Sequence, residues 1–151
     1  MASPAPWEEH PCYLSLWLVP PGMRTSALPD GLRDELVSAT RTVVGDELRS
    51  VTYFTEADVE QVYLREDLEA EADLVGFADT ERLGFRTRTD YRNSELGSYR
   101  FTIRVFDHGY LTRVIVGDRG VFVTTDRMAR DRFEELAVAL RQTLRGFQGT
   151  E

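Results

Sequence analysis

The sequence predicts an α+β domain in which an antiparallel five-stranded sheet carries helices on both faces, in the order α-β-β-α-β-β-β-α. Three observations predict this architecture. In residues 99–125, runs of strand-forming residues, the first with alternating apolar and polar side chains, are separated by turns that contain glycine, which is typical of a meander of antiparallel strands. Within it, residues 114–116 and 121–123 are apolar at every position, so both faces of these strands need cover. Three further segments carry apolar residues at helical spacing and can supply that cover.

The first part of the domain predicts a helix followed by two strands. Asp30 is a suitable N-cap for the helix, and Gly45 is placed to end it. Residues 48–54 are rich in aromatic and β-branched side chains and predict a strand. After a turn at 55–58, residues 59–64 predict a second short strand, for which a helical turn is the alternative. The apolar stripe of the helix consists of Leu32, Leu36, Ala39 and Val43.

The middle of the chain predicts a second amphipathic helix that ends near residues 83–84 and has an acidic outer face. The stretch after it, 84–97, is open to two interpretations. Residues 85–89 alternate like a strand, whereas the asparagine, serine and glycine residues that follow favour a loop. The apolar face of the helix consists of Leu68, Ala72, Val75 and Ala78.

The last part predicts the meander and a third helix. Strands at 99–105, 110–116 and 121–125 are joined by turns that contain glycine. Asp126 is a suitable cap for the helix that follows, and Gly149 is placed to end it. The apolar stripe of this helix consists of Phe133, Leu136, Leu140, Leu144 and Phe147.

Length and composition predict one domain. The chain has 151 residues, 42% of them hydrophobic, and all six prolines fall in residues 1–29. We therefore expect a poorly ordered N-terminal extension at 1–29, a single α+β domain at 30–147 and a tail at 148–151. The sequence contains no run of about 18 apolar residues, so we expect no membrane-spanning helix. Because Glu8 and Glu9 precede the apolar run of the extension, we expect no secretory signal and a cytoplasmic location.

The chain is acidic, and its charged residues are unevenly distributed along the sequence. The net charge is −8, and all 18 basic side chains are arginine. An acidic chain without lysine is typical of proteins adapted to concentrated salt, where charge repulsion is screened; codon bias in a GC-rich genome is the alternative. Residues 56–81 carry ten acidic side chains and one arginine, whereas 82–132 carry six acidic side chains and eleven arginines. We expect these two blocks to pair, and an anion-binding surface is the alternative.

The order of elements across residues 30–147 resembles the roadblock and longin-like, profilin-like sandwich. The segment at 96–104, followed by 120–126, is also similar to a group of small proteins from halophilic archaea. The roadblock resemblance implies a domain that dimerises and acts as a scaffold or regulator of small GTPases, motors or signalling proteins, without catalytic residues. PAS-type sensors also have helices around an antiparallel sheet, but they place a longer helical cluster after the second strand.

The candidate ligand-binding residues are four arginines of the basic block, Arg86, Arg88, Arg100 and Arg104. On the strand predicted at 99–105, residues two apart project together, so Arg100 and Arg104 share one face with Thr102 between them. Guanidinium groups bind phosphate or carboxylate, and Tyr91 or Tyr99 could stack on a base. We expect no nucleic acid partner, because the whole chain is acidic and charge attraction to nucleic acid weakens steeply with salt.

The sequence offers no convincing catalytic set or metal site. Residues 124–126 lie between a strand and a helix, where a helix cap is expected rather than a nucleophile. Residues 117–120 predict a hairpin turn and not a phosphate loop, because a strand follows them and the chain has no lysine. His108 is the only plausible general base, and we expect it exposed at a hairpin tip. The single cysteine, Cys12, predicts no disulfide or zinc site, and the carboxylates of 66–73 predict a solvated face rather than a calcium loop.

These observations predict a non-enzymatic regulatory or scaffold module, homodimeric through exposed sheet edges and one helix face. A small GTPase or signalling protein is the partner that the roadblock resemblance implies. No cofactor, metal or membrane partner is expected. The alternative is a PAS-like sensor domain that binds a small anionic ligand near the arginine-bearing strand.

Overall fold

A computed structural model of the protein describes residues 28–70, 72–74, 76–91, 94–129 and 131–148. The element order confirms the predicted α+β architecture, with the middle helix divided in two. The helices are α1 (Leu32–Val44), α2 (Phe77–Arg82), α3 (Gly84–Thr87) and α4 (Arg132–Gln148). The strands are β1 (Leu48–Phe54), β2 (Val59–Leu64), β3 (Thr102–Phe106), β4 (Gly109–Val116) and β5 (Arg119–Asp126). The predicted extension up to residue 27 and the tail after residue 148 lie outside the described residues.

The five strands form one antiparallel sheet in the order β2-β1-β5-β4-β3. The apolar strands β4 and β5 are therefore interior, whereas β2 and β3 form the two edges. Tight hairpins join β3 to β4 and β4 to β5. The second hairpin turns at Gly117, whose φ of 63° requires a residue that tolerates the left-handed region.

Both faces of the sheet are covered by helices, as predicted. We call the side under α1 and α4 the long-helix face; its core contains Val51, Val114 and Val123 of the sheet and Leu36 and Leu140 of the helices. The opposite side, which we call the short-helix face, packs under α2 and α3. Its core consists of Phe54, Val59, Leu74, Ala78, Phe85, Leu111, Ile115 and Phe122. Alternate residues of β4 and β5 point into these two cores, which explains why the runs at 114–116 and 121–123 are apolar at every position. In the described part of the chain, no helix combines the length and apolar character needed to span a membrane.

The first helix differs in detail from its prediction. Gly31, with φ 85°, occupies the N-cap position without a side-chain cap, so the prediction of Asp30 as the cap is wrong. The buried stripe continues through Thr40 and Val44 rather than through the predicted Ala39 and Val43. A threonine can be buried here because its Oγ1 donates a hydrogen bond to the backbone oxygen of Leu36 at 2.6 Å. Gly45 ends the helix as predicted.

The middle helix is much shorter than predicted. Turns replace helix before α2, because Asp73 and Gly76 have positive φ values of 59° and 83° that an α-helix cannot contain. Helix α2 then ends at Arg82, and α3 and a 3-10 turn (Arg88–Tyr91) follow. The alternating stretch at 85–89 is therefore helical and not a strand.

Two boundaries in the last part also shift. Strand β3 begins at Thr102 instead of at residue 99, and α4 begins at Arg132. Asp126 therefore does not cap α4, and that prediction is wrong. Asp126 ends β5, where its carboxylate accepts hydrogen bonds from Arg49 and Arg65, so the acid is used by a long-range ion-pair network instead of by the helix.

Candidate functional site

The arginines predicted to bind an anion lie on different faces of the sheet. They are Arg86, Arg88, Arg100 and Arg104. Arg104 lies on the short-helix face, where its Nε donates to Glu81 Oε2 at 2.7 Å. Arg100 reaches α4, where its Nη2 donates to Glu134 Oε2 at 3.1 Å. The prediction that Arg100 and Arg104 share a face is wrong, because strand alternation begins only at Thr102.

The other two predicted arginines belong to the helical segment over the short-helix face. Arg86 lies exposed on α3. The guanidinium of Arg88 lies 5.8 Å from the ring centre of Phe85, and its Nη2 donates to the backbone oxygen of Gly117 at 2.6 Å. Arg88 therefore ties this segment to the hairpin between β4 and β5.

A groove of about 540 Å³ opens on the short-helix face between the helical segment and β3. We call it the tyrosine groove. The rings of Tyr91 and Tyr99 stack inside it with their centres 6.1 Å apart. Its charged and apolar lining includes Leu83, Arg88, Arg104 and Arg113. The groove thus brings together two of the predicted arginines and both predicted tyrosines, together with Arg113, which the sequence analysis missed.

Glu81 forms ion pairs with two arginines that line the tyrosine groove. Its side chain is 1% exposed and accepts hydrogen bonds from Arg104 at 2.7 Å and from Arg113 at 3.0 Å. Arg113 is itself buried, and its Nη2 also donates to Tyr99 Oη at 2.9 Å and to Thr102 Oγ1 at 2.8 Å. Glu81, from the acidic block at 56–81, thus forms ion pairs with two arginines of the basic block at 82–132. The expected pairing of the blocks is confirmed for these three residues. The sequence signal for Arg113 is a charged residue directly before the apolar run at 114–116 of a predicted interior strand.

A second polar network crosses the far end of the short-helix face. Thr124 Oγ1 donates to Asp73 Oδ2 at 2.7 Å and shares a 2.5 Å hydrogen bond with Ser50 Oγ. Arg49 Nε donates to the same Asp73 oxygen at 2.8 Å. The hydrogen bond to Asp73 raises the pKa of Arg49 despite partial burial. Thr124 is thus held by structural hydrogen bonds and is not arranged as a nucleophile.

Arg65 extends this network to the end of β5. Its guanidinium donates to Asp67 at 2.6 Å and to Asp126 at 2.7 Å. These hydrogen bonds raise the pKa of Arg65 above its ordinary value, and the hydrogen bond from Arg65 lowers the pKa of Asp67. Asp67 and Asp73, considered above as parts of an acidic face, each have an arginine partner.

His108 lies exposed in the turn between β3 and β4, as expected. It borders a cavity of about 330 Å³ whose lining also includes Arg49, Asp73 and Thr124. Within this lining, Thr124 and Asp73 bond to each other and Arg49 bonds to Asp73, so these three side chains stabilise the sheet end.

The free edge of the sheet carries an apolar surface. In the described part of the chain, no strand pairs with the outer edge of β3. Val105 is 74% exposed and Phe106 is 49% exposed on this strand. The ring of Phe106 stacks on Phe77 of α2, with ring centres 5.9 Å apart, and α2 is followed by the exposed Leu83. Val105 projects on the opposite side of the edge, beside Tyr110, which packs on Phe133 of α4. We call Phe77, Leu83 and Phe106 on the short-helix side, together with Val105 on the long-helix side, the edge patch.

Within the described ranges, no three histidine, cysteine, aspartate or glutamate side chains come together as a possible metal site. Cys12 lies outside the described residues.

The sequence of the chain matches one protein family. The family described as "Domain of unknown function (DUF7522)" matches residues 34–145, which include all five strands. The chain belongs to this family. No curated protein matches the chain.

Solved structures share the fold of this DUF7522 domain at low sequence identity. Myxococcus xanthus MglB aligns with a TM-score of 0.56 and 11% identity, covering 84% of this chain and 100% of that chain. The gliding protein MglB from Thermus thermophilus aligns with a TM-score of 0.51 and 10% identity, covering 79% and 95%. A roadblock/LC7 domain from Streptomyces avermitilis aligns with a TM-score of 0.48 and 15% identity, covering 72% and 94%. The predicted roadblock-like fold is confirmed, and at these identities the similarity concerns the fold alone.

Proposed function

We propose that this DUF7522 domain is a non-enzymatic regulatory or scaffold module that forms a homodimer through β3 and the edge patch. The observation that carries the proposal is the open β3 edge with its exposed Val105 and Phe106. An unpaired edge strand with apolar side chains is a template for pairing with another chain. In a two-fold dimer, the same strand from a second copy would cover it.

The opposite edge of the sheet is protected, which favours β3 as the contact. Side chains of β2 are tied to α1: Arg33 Nη2 donates to Glu60 Oε2 at 3.1 Å, and Arg41 Nη1 donates to Tyr63 Oη at 3.1 Å. Charged and polar side chains on an edge strand disfavour its pairing with a strand of another chain. The two edges therefore differ in chemistry.

The fold shared with MglB supports assembly of several copies, and the roadblock resemblance of the element order implies a regulatory role and a signalling partner. MglB, whose fold this chain shares, is known as a gliding protein in Thermus thermophilus, and one MglB structure has a tetrameric arrangement. We therefore propose that this domain assembles with a second copy and, as the roadblock resemblance implies, with a signalling protein such as a small GTPase. The assignment of a module rather than an enzyme is supported by the cavity at His108, where Asp73 is held by Arg49 and Thr124 in a structural network.

The variant Val105→Glu tests the homodimer. It places a carboxylate on the free edge, where dimerisation would bury it without a partner. Because the side chain is 74% exposed in the protomer, folding should be preserved. We expect the dissociation constant of the dimer to rise about 30-fold or more, as for loss of an interface residue worth about 2 kcal/mol. Sedimentation velocity measures this change.

Val138→Glu is the matched control, because Val138 is also an exposed apolar residue but lies on α4. Val138→Glu should give the same proportions of monomer and dimer in sedimentation velocity as the wild-type chain. A monomeric wild-type chain at micromolar concentration, or equal effects of the two variants, would contradict the proposed dimer.

The tyrosine groove favours a second candidate function, the sensing of a small anionic ligand. Its stacked tyrosines and Arg88 and Arg104 offer both stacking and charge. Thermal unfolding with a panel of nucleotides and carboxylates at constant ionic strength tests it. A sensor gains stability with one ligand and loses this gain in Arg104→Gln, whereas a pure interaction module responds to none.

We also propose that the domain is adapted to concentrated salt, because the chain carries a net charge of −8 and no lysine. The Debye length falls from about 10 Å at 0.1 M to about 3 Å at 1 M salt, so repulsion among carboxylates is screened. We expect the urea midpoint to rise between 0.1 M and about 1 M KCl. A rise of about 0.5 M corresponds to about 1 kcal/mol at typical denaturant slopes. An unchanged or lower midpoint would exclude salt adaptation.

A further inference from the structure

A smaller groove, of about 200 Å³, lies on the long-helix side between α4 and the segment that leads into β3. We call it the arginine groove. It is lined by Arg100, Phe101, Val138, Arg141, Gln142 and Arg145. The helical residues follow the spacing of one helix face, since positions three, four and seven residues after Val138 lie side by side on a helix. Arg100, predicted to lie beside Arg104, thus lies instead beside Arg141 and Arg145 of α4.

Arg100, Arg141 and Arg145 line the same groove. Arg141 Nη2 donates to the backbone oxygen of Arg100 at 2.5 Å, which fixes Arg141 across the groove. The guanidinium of Arg100 lies 5.8 Å from the ring centre of Phe101 and donates to both carboxylate oxygens of Glu134, at 3.1 and 3.3 Å. Arg145 lies one helical turn after Arg141.

Their charges are not balanced. In the part of the chain that the structure describes, Glu134 is the one carboxylate that an ion pair joins to these three arginines. Partial burial lowers the pKa of Arg141, and the charges of Arg145 and Arg100 lower it further. Like charges one turn apart destabilise a helix. A protein with a net charge of −8 thus keeps three cations together at a concave surface.

We propose that the arginine groove binds a phosphate group, either as inorganic phosphate or as a phosphate monoester. Three guanidinium groups and one carboxylate leave two positive charges, which a phosphate dianion neutralises. Guanidinium forks match phosphate oxygens in geometry and bind them with charge-assisted hydrogen bonds. The volume of the groove suits one such group, and the apolar Val138 at its wall can contact the ester substituent of a monoester.

Calorimetric titration of the full chain at low, constant ionic strength tests this site. Inorganic phosphate and phenyl phosphate are the two probes, each raised to about 1 mM, where bulk salt effects are small. We expect at least one probe to bind. Tighter binding of phenyl phosphate would identify a monoester as the ligand, and equal binding would identify the phosphate group alone.

Arg145→Gln should weaken binding about tenfold, because one charge-assisted contact is lost. Arg141→Gln should do the same, with urea unfolding to check that its bond to Arg100 is not needed for folding. Arg33→Gln is the matched control: it removes one arginine at the β2 edge, opposite to β3, and should bind as the wild type does. Absence of binding by both probes, or unchanged binding in both groove variants, would overturn the proposal.

Discussion

Glu81→Gln is expected to lower the free energy of unfolding by about 3–5 kcal/mol, the usual cost of removing one partner of a buried ion pair. Glutamine keeps the size of the side chain but removes the charge that Arg104 and Arg113 share. Arg113, whose side chain is 6% exposed, would then be a buried cation without a counter-ion. Urea unfolding followed by circular dichroism measures the loss.

Glu134→Gln is the matched control for this variant. It removes the same charge from an exposed pair, in which Arg100 and Glu134 are 56% and 60% exposed, so the expected cost is below about 1 kcal/mol. A double change of Glu81→Leu and Arg113→Met should recover much of the lost stability, because apolar packing can replace a buried ion pair. Equal costs for the two glutamine variants would mean that Glu81 does not hold the short helices to the sheet.

Gly109→Ala is expected to destabilise the domain by about 3 kcal/mol, at the upper end of typical overpacking costs. A Cβ atom at this position would collide with the backbone oxygen of Thr125 on the neighbouring strand. Backbone atoms of a paired strand cannot rotate away, so the hairpin between β3 and β4 must shift. Gly109 has no positive φ, and glycine is required here by close approach of two strands rather than by its backbone angles.

Gly146→Ala serves as the comparison. Nothing lies within 4 Å of a Cβ atom at Gly146, which is inside α4, so alanine should stabilise the domain by about 0.5–1 kcal/mol. Thermal or urea unfolding of both variants should therefore give changes of opposite sign. A neutral Gly109→Ala would show that the β4–β5 ladder can relax at this point.

The strands could be predicted from sequence because their signals are local. The bounds of β1 and β2 agree with the predicted 48–54 and 59–64, since β-branched and aromatic residues mark both runs. The middle helix could not be predicted correctly, because helical spacing of apolar residues does not show that Asp73 adopts a positive φ. Asp126 was assigned to a helix cap by its position, whereas ion pairs with distant arginines determine its role.

The candidate sites were less predictable than the fold because they depend on long-range pairing. Sequence identified Arg104 but not Glu81 as its partner, which lies 23 residues away, and it overlooked Arg113. It grouped Arg100 with Arg104 by strand alternation, and the later start of β3 sends Arg100 to α4. Positions of charges in the chain predicted that the two blocks pair, but not which arginines remain in excess.

Amide hydrogen exchange in β3 tests the central claim, that this edge pairs with a second copy, most directly. The wild-type chain is compared at concentrations above and below the dissociation constant of the dimer, with β5, which has a strand on each side, as the internal reference. We predict that the amides of Thr102–Phe106 that point away from β4 are protected in the dimer and lose protection on dilution, while the amides bonded to β4 and those of β5 stay protected. Protection of β3 that does not change while the mass falls from dimer to monomer would contradict the account.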